Sequence, residues 1–155
     1  MAALWRGIQT NSLAAALPAF FPEEAYVRLK TVFSPKLDYV DRLLAEFQLD
    51  IGAAHALLGR GAASARLLRV DVPSSVAAWI VPGRCLNDIG YFQVSGSRLV
   101  YEENGQTRSF GIDSLISWRG EWYVVHLGAY TRSSYTGIVD NPAVGIGTFG
   151  PPVGC

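Results

Sequence analysis

The sequence predicts an α+β domain: N-terminal helices packed on a curved antiparallel β-meander of four to six strands. An apolar stripe of helical period runs from Leu37 to Leu58. Beyond Arg66 the period drops to two. Two tight-turn signals, Asn104-Gly105 and Arg119-Gly120, then divide the alternating segments. Helices first and strands afterwards is the order of an α+β fold. The 155 residues suffice for one domain with a core of its own. Within this single domain, 1–61 read as helical, 65–128 as antiparallel sheet and 129–155 as an extended Gly/Pro-rich tail.

The first helical signals are "LWRGI" and "NSLAAAL", the second with Asn11 or Ser12 as cap. In "FFPEEAYVRLKTVF", Pro22 suits a first helical position, and Glu23 and Glu24 suit the positive end of the dipole. The longest helix is capped by Ser34 and started by Pro35. Its stripe is Leu37, Val40, Leu44, Phe47, Ile51, Ala54 and Leu58, with Asp38, Asp41, Arg42, Glu46 and Asp50 mostly away from it. Such a widened stripe fits a helix laid on a sheet better than a coiled coil. Gly59 and Gly61 end it. "RLLRVDV" alternates as a strand. "GYFQV" is expected to turn at Ser95-Gly96 into "SRLVYEE". "QTRSFGIDSLISW" is long for one strand, and Gly111 marks a place for a bulge.

Counting outward from a two-residue Arg119-Gly120 loop places Trp118 opposite Glu121 and Ile116 opposite Tyr123. Continued, the same count puts Asp113 opposite His126. Both faces of this hairpin are largely apolar, so two covers are needed. A carboxylate beside an imidazole raises its basicity and fixes its tautomer, which makes Asp113 and His126 the weak candidates for acid–base work. The plainer reading is a His held in a sheet by one acid. Tyr101, Trp118, Trp122 and Tyr123 are candidate walls of a site for a small apolar ligand. His55, on the edge of the helical stripe, reads as structural.

Formal net charge is zero, with 13 basic and 13 acidic residues, which argues against nucleic acid as a partner. No apolar run is long enough for a transmembrane segment. The N-terminal stretch lacks the continuous apolar core of a signal peptide, so export would require a leader absent from this sequence. Two His and two Cys show no metal-ligand spacing, and no cofactor or metal is assigned. "GIGTFG" matches a dinucleotide fingerprint by letter, but Pro151 and Pro152 follow where a helix must start. The two cysteines are Cys85 and Cys155, and Cys155 ends a tail that would fray unless tied. A Cys85–Cys155 disulfide would tie it, stabilising by about 4 kcal/mol in the chain-entropy model and implying an oxidising compartment. Two independent thiols, or an intermolecular link through Cys155, stay open.

The stretches "FFPEEAYVRLK", "RLLRVDVP", "IGYFQV", "RSFGIDSLISWRGEWYVVHLG" and "GPPVGC" resemble a group of uncharacterised actinobacterial proteins, exported or envelope-associated. The likeness runs from about Ser12 to Cys155 and brings no activity with it. The layout of helices before a bent meander also resembles the cone of nuclear transport factor 2-like domains. That likeness is architectural, and such cones host isomerases, dehydratases, carriers and assembly modules, so it implies no function. Low charge, a sheet apolar on both faces and an apolar Gly/Pro tail read as a non-catalytic binding or assembly module, and the resemblance implies that it is secreted or at the cell envelope. A second copy or an envelope component would be its partner. The rival is a small-molecule enzyme or carrier using Asp113 and His126 in a cone pocket. A glycan-binding module with Trp exposed on the sheet is a third reading.

Overall fold

A computed structural model describes residues 1–150. The helical half comprises α1 (Ala2–Thr10), α2 (Leu13–Ala16), α3 (Glu23–Leu29), α4 (Pro35–Asp38) and α5 (Ala45–Leu58). Six strands follow as one antiparallel sheet: β1 (Arg66–Asp71), β2 (Ala78–Ile80), β3 (Tyr91–Glu103), β4 (Gln106–Trp118), β5 (Glu121–His126) and β6 (Asp140–Val144). The α+β architecture expected from the sequence is the one observed. Among the described residues no helix is long and apolar enough to cross a membrane.

The sheet is built on one long ribbon. β3 and β4 each run for 13 residues and pair along nearly their whole length. β1 and β2 share the outer edge of β3, and β5 and β6 share that of β4. The turns at Asn104-Gly105 and Arg119-Gly120 have positive φ at both residues, 51° and 74° in one and 51° and 84° in the other. That geometry matches the right-handed twist of the flanking strands. The expected turn at Ser95-Gly96 does not form. Ser95 opposes Ser114 and Ser97 opposes Ile112, so the ladder runs straight through. Gly96 keeps a φ of 67° and serves another purpose. The Gly150 N–H donates to the Gly96 carbonyl at 3.1 Å, and a Cβ on Gly96 would lie 2.6 Å from the Gly150 oxygen. Absence of a side chain lets the tail lie on the strand.

The long helix departs from ideal geometry. Between α4 and α5, Tyr39–Leu44 form a π-helical turn. An extra residue in a turn rotates everything before it relative to everything after it. Phe47, Ile51, Ala54 and Leu58 point into the core as their spacing predicts. Within the π turn the inward residues are Tyr39 and Leu43; Leu43 is expected to widen the stripe, whereas Tyr39 takes the place expected of Val40. Val40 and Leu37 are exposed. Ser34 does not cap the helix by its side chain and takes a φ of 51°. His55 is structural, its Nδ1 2.9 Å from the Ile8 carbonyl.

The core between helices and sheet gathers Leu4, Ile8, Phe20, Phe21, Phe47 and Ile51 against Leu99, Phe110, Ile112 and Val124. Phe20 and Phe47 stack with centroids 4.2 Å apart. The Phe21 N–H donates to the Val124 carbonyl at 2.9 Å, which covers the outer edge of β5. The other face of the sheet receives the tail. There Arg98, 2 % exposed, donates to Ser109 Oγ at 2.6 Å and to the Asn141 carbonyl at 2.9 Å. Gly147 sits over its guanidinium, where a Cβ would meet Nη2 at 2.3 Å.

One carboxylate joins the two halves. Asp50 on α5 is 1 % exposed. Its Oδ2 accepts from the Gly128 N–H at 3.0 Å and from Arg132 Nη2 at 3.0 Å. Its Oδ1 accepts from the Ile138 N–H at 2.8 Å and from Arg132 Nη1 at 3.1 Å. Both ends of the loop between β5 and β6 are thus fixed to the helix, with a bidentate Arg–carboxylate pair between them. Asp50→Asn keeps the shape and removes the charge, leaving the buried Arg132 guanidinium only the looser pair with Glu46 at 3.8 Å and the Thr136 carbonyl. Breaking a buried pair from one side costs about 3–5 kcal/mol, and a loss of that size is expected in urea unfolding. A loss under about 1 kcal/mol would show that this joint is not needed.

Candidate functional site

Helices and sheet do not close completely on each other. They leave a cavity of about 610 Å³ between α3, the π turn, the start of α5, the loop after β2, and β3 to β5. Phe21, Leu43, Ile116 and Val125 give it apolar walls, and Ser114, Asp113, His126 and Gln93 give polar points on the sheet side. The size falls within the ordinary range for small-molecule sites.

The loop that closes one side is stitched to the end of α3. The Thr31 N–H donates to the Leu86 carbonyl at 2.9 Å and the Asp88 N–H to the Leu29 carbonyl at 2.9 Å. Lys30 Nζ donates to the Cys85 carbonyl at 2.9 Å. Burial and the nearby Arg42 charge lower the Lys30 ammonium to about 8. Cys85 therefore stands in the cavity wall, with a φ of 53°. Its proposed partner Cys155 lies outside the described residues.

The helix supplies a file of charged groups four residues apart: Asp38, Arg42, Glu46 and Asp50. The first three line the cavity. Arg42 grips Asp38 with two bonds, Nε to Oδ1 at 2.8 Å and Nη2 to Oδ2 at 2.7 Å. The Tyr26 hydroxyl donates to Asp38 and accepts from Arg42 Nη2 at 3.0 Å. Bonding to Arg42 holds the Asp38 carboxyl below its ordinary value, while burial and the bond to Asp38 push the Tyr26 phenol well above its own. Burial raises Glu46 despite the charges of Arg132 and Arg42. Of the charges that the sequence places mostly away from the apolar stripe, Glu46 and Asp50 are in fact buried.

Asp113 and His126 both line the cavity. They are not directly opposed. The count from Arg119-Gly120 holds as far as Leu115 opposite Val124. Then a bulge intervenes, so that Ser114 opposes His126 and the Asp113 N–H donates to the Leu127 carbonyl at 3.1 Å. The extra residue sits on β5 rather than at Gly111, whose irregularity lies in the pairing with β6. The Asp113 carboxyl instead accepts from the Tyr130 N–H. Burial, then repulsion from Asp140, pushes it up to about 6. The His126 ring meets Tyr130 edge-on with centroids 5.5 Å apart. Burial lowers it, reinforced by Arg42, Arg132 and Lys30, to about 3. At neutral pH it is an uncharged imidazole, free to act as acceptor or donor toward a bound molecule.

The four aromatic candidates lie elsewhere. Tyr101 is buried in the core between Trp5 and Phe110. Trp118 and Tyr123 pack edge-on against Phe21. Trp122 is exposed on the far face of the hairpin. None of the four lines the cavity. Sequence reasoning missed Tyr26, Lys30, Arg42 and Glu46, although the four-residue spacing of the charges on the helix was a usable signal.

No protein-family model, curated protein or solved structure matches this chain.

The raised Asp113 carboxyl has a consequence for stability. Between the ordinary carboxyl value of 3.8 and about 6, the folded protein holds a proton that the unfolded chain has released. Its contribution to stability therefore falls as pH rises through that window, and the cost is fully present above it. Asp113→Asn can still accept from Tyr130 but cannot ionise. Relative to the parent it is expected to gain about 2–3 kcal/mol at pH 7.5 over its standing at pH 4, measured by urea unfolding at both values. A difference independent of pH would contradict this.

Proposed function

We propose that this domain binds a small organic molecule in the cavity between helices and sheet, without catalysing its conversion. The cavity carries the reading: about 610 Å³ with apolar side chains between a paired charged cluster on the helix side and Ser114, Asp113 and uncharged His126 on the sheet side. Its occupant has an apolar body and at least one group that exchanges hydrogen bonds with those residues. The two cationic side chains in the wall are already engaged, Lys30 with a carbonyl and Arg42 with Asp38, so a strongly anionic ligand is disfavoured. The fluorescent probe 8-anilino-1-naphthalenesulfonate, whose single sulfonate offsets little of its aromatic area, reports on the space. One saturable site per chain is expected, weakened at least tenfold by His126→Trp, which fills the cavity from the sheet side. Binding unchanged in that variant would sink the proposal.

A second reading is favoured by one observation, the uncharged imidazole of His126 at the cavity. On that reading His126 hydrogen-bonds a bound substrate and Asp113, whose carboxyl is pushed up to about 6, exchanges the proton, in an enzyme or carrier of the nuclear transport factor 2-like type. Asp113, displaced by the bulge, would act on the substrate separately and not through His126.

We place the domain outside the cytoplasm, secreted or at the envelope, with Cys85 and Cys155 joined in one chain. Gly150 ends the described tail against Gly96 of β3, and Gln93 of the same strand lines the cavity with Cys85. Intact mass is expected to rise by two hydrogens on reduction. A doubled mass before reduction would mean a link between chains, and an unchanged mass would mean no bridge.

A further inference from the structure

The sheet face turned away from the cavity carries an uncovered row of aromatic side chains. Trp79 on β2 opposes Phe92 on β3, and Trp122 on β5 opposes Ser117 on β4. Gln93 opposes Ile116, so Phe92 stands across from Ser117. The Phe92 N–H donates to Ser117 Oγ at 3.0 Å, which closes that position. Directly opposed residues present their side chains on one face. The four therefore form a single row across four strands: Trp79, Phe92, Ser117, Trp122. Gln93 and Ile116, one step away, line the cavity on the other face.

All three rings of the row are in water, Trp79 at 52 %, Phe92 at 47 % and Trp122 at 43 % exposure. Trp79 is nonetheless fixed. Its six-membered ring covers Gly90, where a Cβ would lie 2.4 Å from Cζ2, and it meets Phe92 at 5.0 Å and 62°. One side of the indole is held against the backbone while the ring stays half in solvent. An exposed but braced aromatic plane loses little freedom when something stacks on it.

We infer that this row binds an extended β-1,4-linked glycan chain. Neighbouring strands are roughly 5 Å apart, close to the advance of one pyranose unit along such a chain. Phe92 and Trp122 are separated by two strand spacings, or about 10 Å. In a β-1,4-linked chain alternate units present the same face, so one unit at the Trp79–Phe92 pair and the next but one over Trp122 offer like faces to the protein. Ser117, small and already bonded, leaves room for the unit between them. Pyranose C–H faces stack on aromatic rings, and the row holds no charge to disfavour a neutral sugar. A second copy of the chain fits less well. Three half-exposed aromatic side chains offer roughly 300 Å². A stable protein interface needs about 800 Å² from each partner.

The inference is independent of the cavity and can fail without it. The probe is the β-1,4-linked hexamer of N-acetylglucosamine, with the α-1,4-linked glucose hexamer as control, followed by amide and indole N–H NMR shifts and by calorimetry. The expected result is saturable binding of the β-linked hexamer with shifts at the Trp79 and Trp122 indoles. Trp79→Ala and Trp122→Ala, both at exposed positions, should each weaken it at least tenfold while leaving the naphthalenesulfonate site intact. Four results would overturn it: no binding of the β-linked hexamer, equal binding of the α-linked control, shifts confined to the cavity, or sugar affinity unchanged in both variants. Sedimentation of the unliganded protein adds a fifth. A concentration-dependent dimer abolished by either substitution would make the row a contact between copies and the glycan assignment wrong.

Discussion

The fold turns on a single buried carboxylate. Asp50 accepts four hydrogen bonds, and three residues far along the chain supply them: Gly128, Arg132 and Ile138. Without this joint, α5 would meet the sheet chiefly through apolar contact, which is non-directional, aided by the looser Glu46–Arg132 pair at 3.8 Å. With it, the loop after β5 has one position on the helix. Gly128 and Gly137 tighten the same contact. A Cβ at either would fall within 2.6 Å of a carbonyl oxygen, that of Ile138 in one case and of Leu49 in the other. Tyr130, carried by this loop, is thereby set beside His126 and Asp113. The chemistry of the cavity wall is therefore inherited from a structural ion pair outside it.

The cavity also illustrates how burial sorts titratable groups. Each of Lys30, Asp113 and His126 is displaced toward its uncharged form, with desolvation as the main cause. Asp38 is displaced the other way because Arg42 and Tyr26 bond directly to its ionised form. The helix side of the space thus keeps the paired Asp38–Arg42–Tyr26 cluster, and the sheet side keeps weakly charged groups with bonding capacity to spare. A ligand meeting the sheet side need not displace an ion pair to be held.

Much of the architecture was legible in the sequence because it rests on local rules. The change of period from helical to alternating separates the two halves, and Asn104-Gly105 and Arg119-Gly120 set both hairpin turns through their tolerance of positive φ. Register was legible for the four pairs from Trp118 to Leu115 and then failed at the bulge. No side chain signals that extra residue, because it answers to the loop held by Asp50 and not to the strand. Gly96 misled for a related reason. A glycine between two alternating runs reads as a turn, whereas here it admits the returning tail, a contact between residues more than 50 positions apart. The cavity was the least legible feature. Its helix wall depends on the rotation introduced by Tyr39–Leu44, which an ideal helical period hides.

That π turn makes the length of one helix a determinant of what the cavity contains. Removing a single residue from 39–44 would let the segment relax into uniform α-helix with its hydrogen bonds intact. The half after it would keep Phe47, Ile51 and Asp50 in place. The half before it would rotate by about 100°, the angle of one helical residue. Asp38 would swing away from the cavity wall, and its pairing with Arg42 would be lost. A gap of one position here would therefore remake the helix wall of the cavity rather than merely shorten the chain.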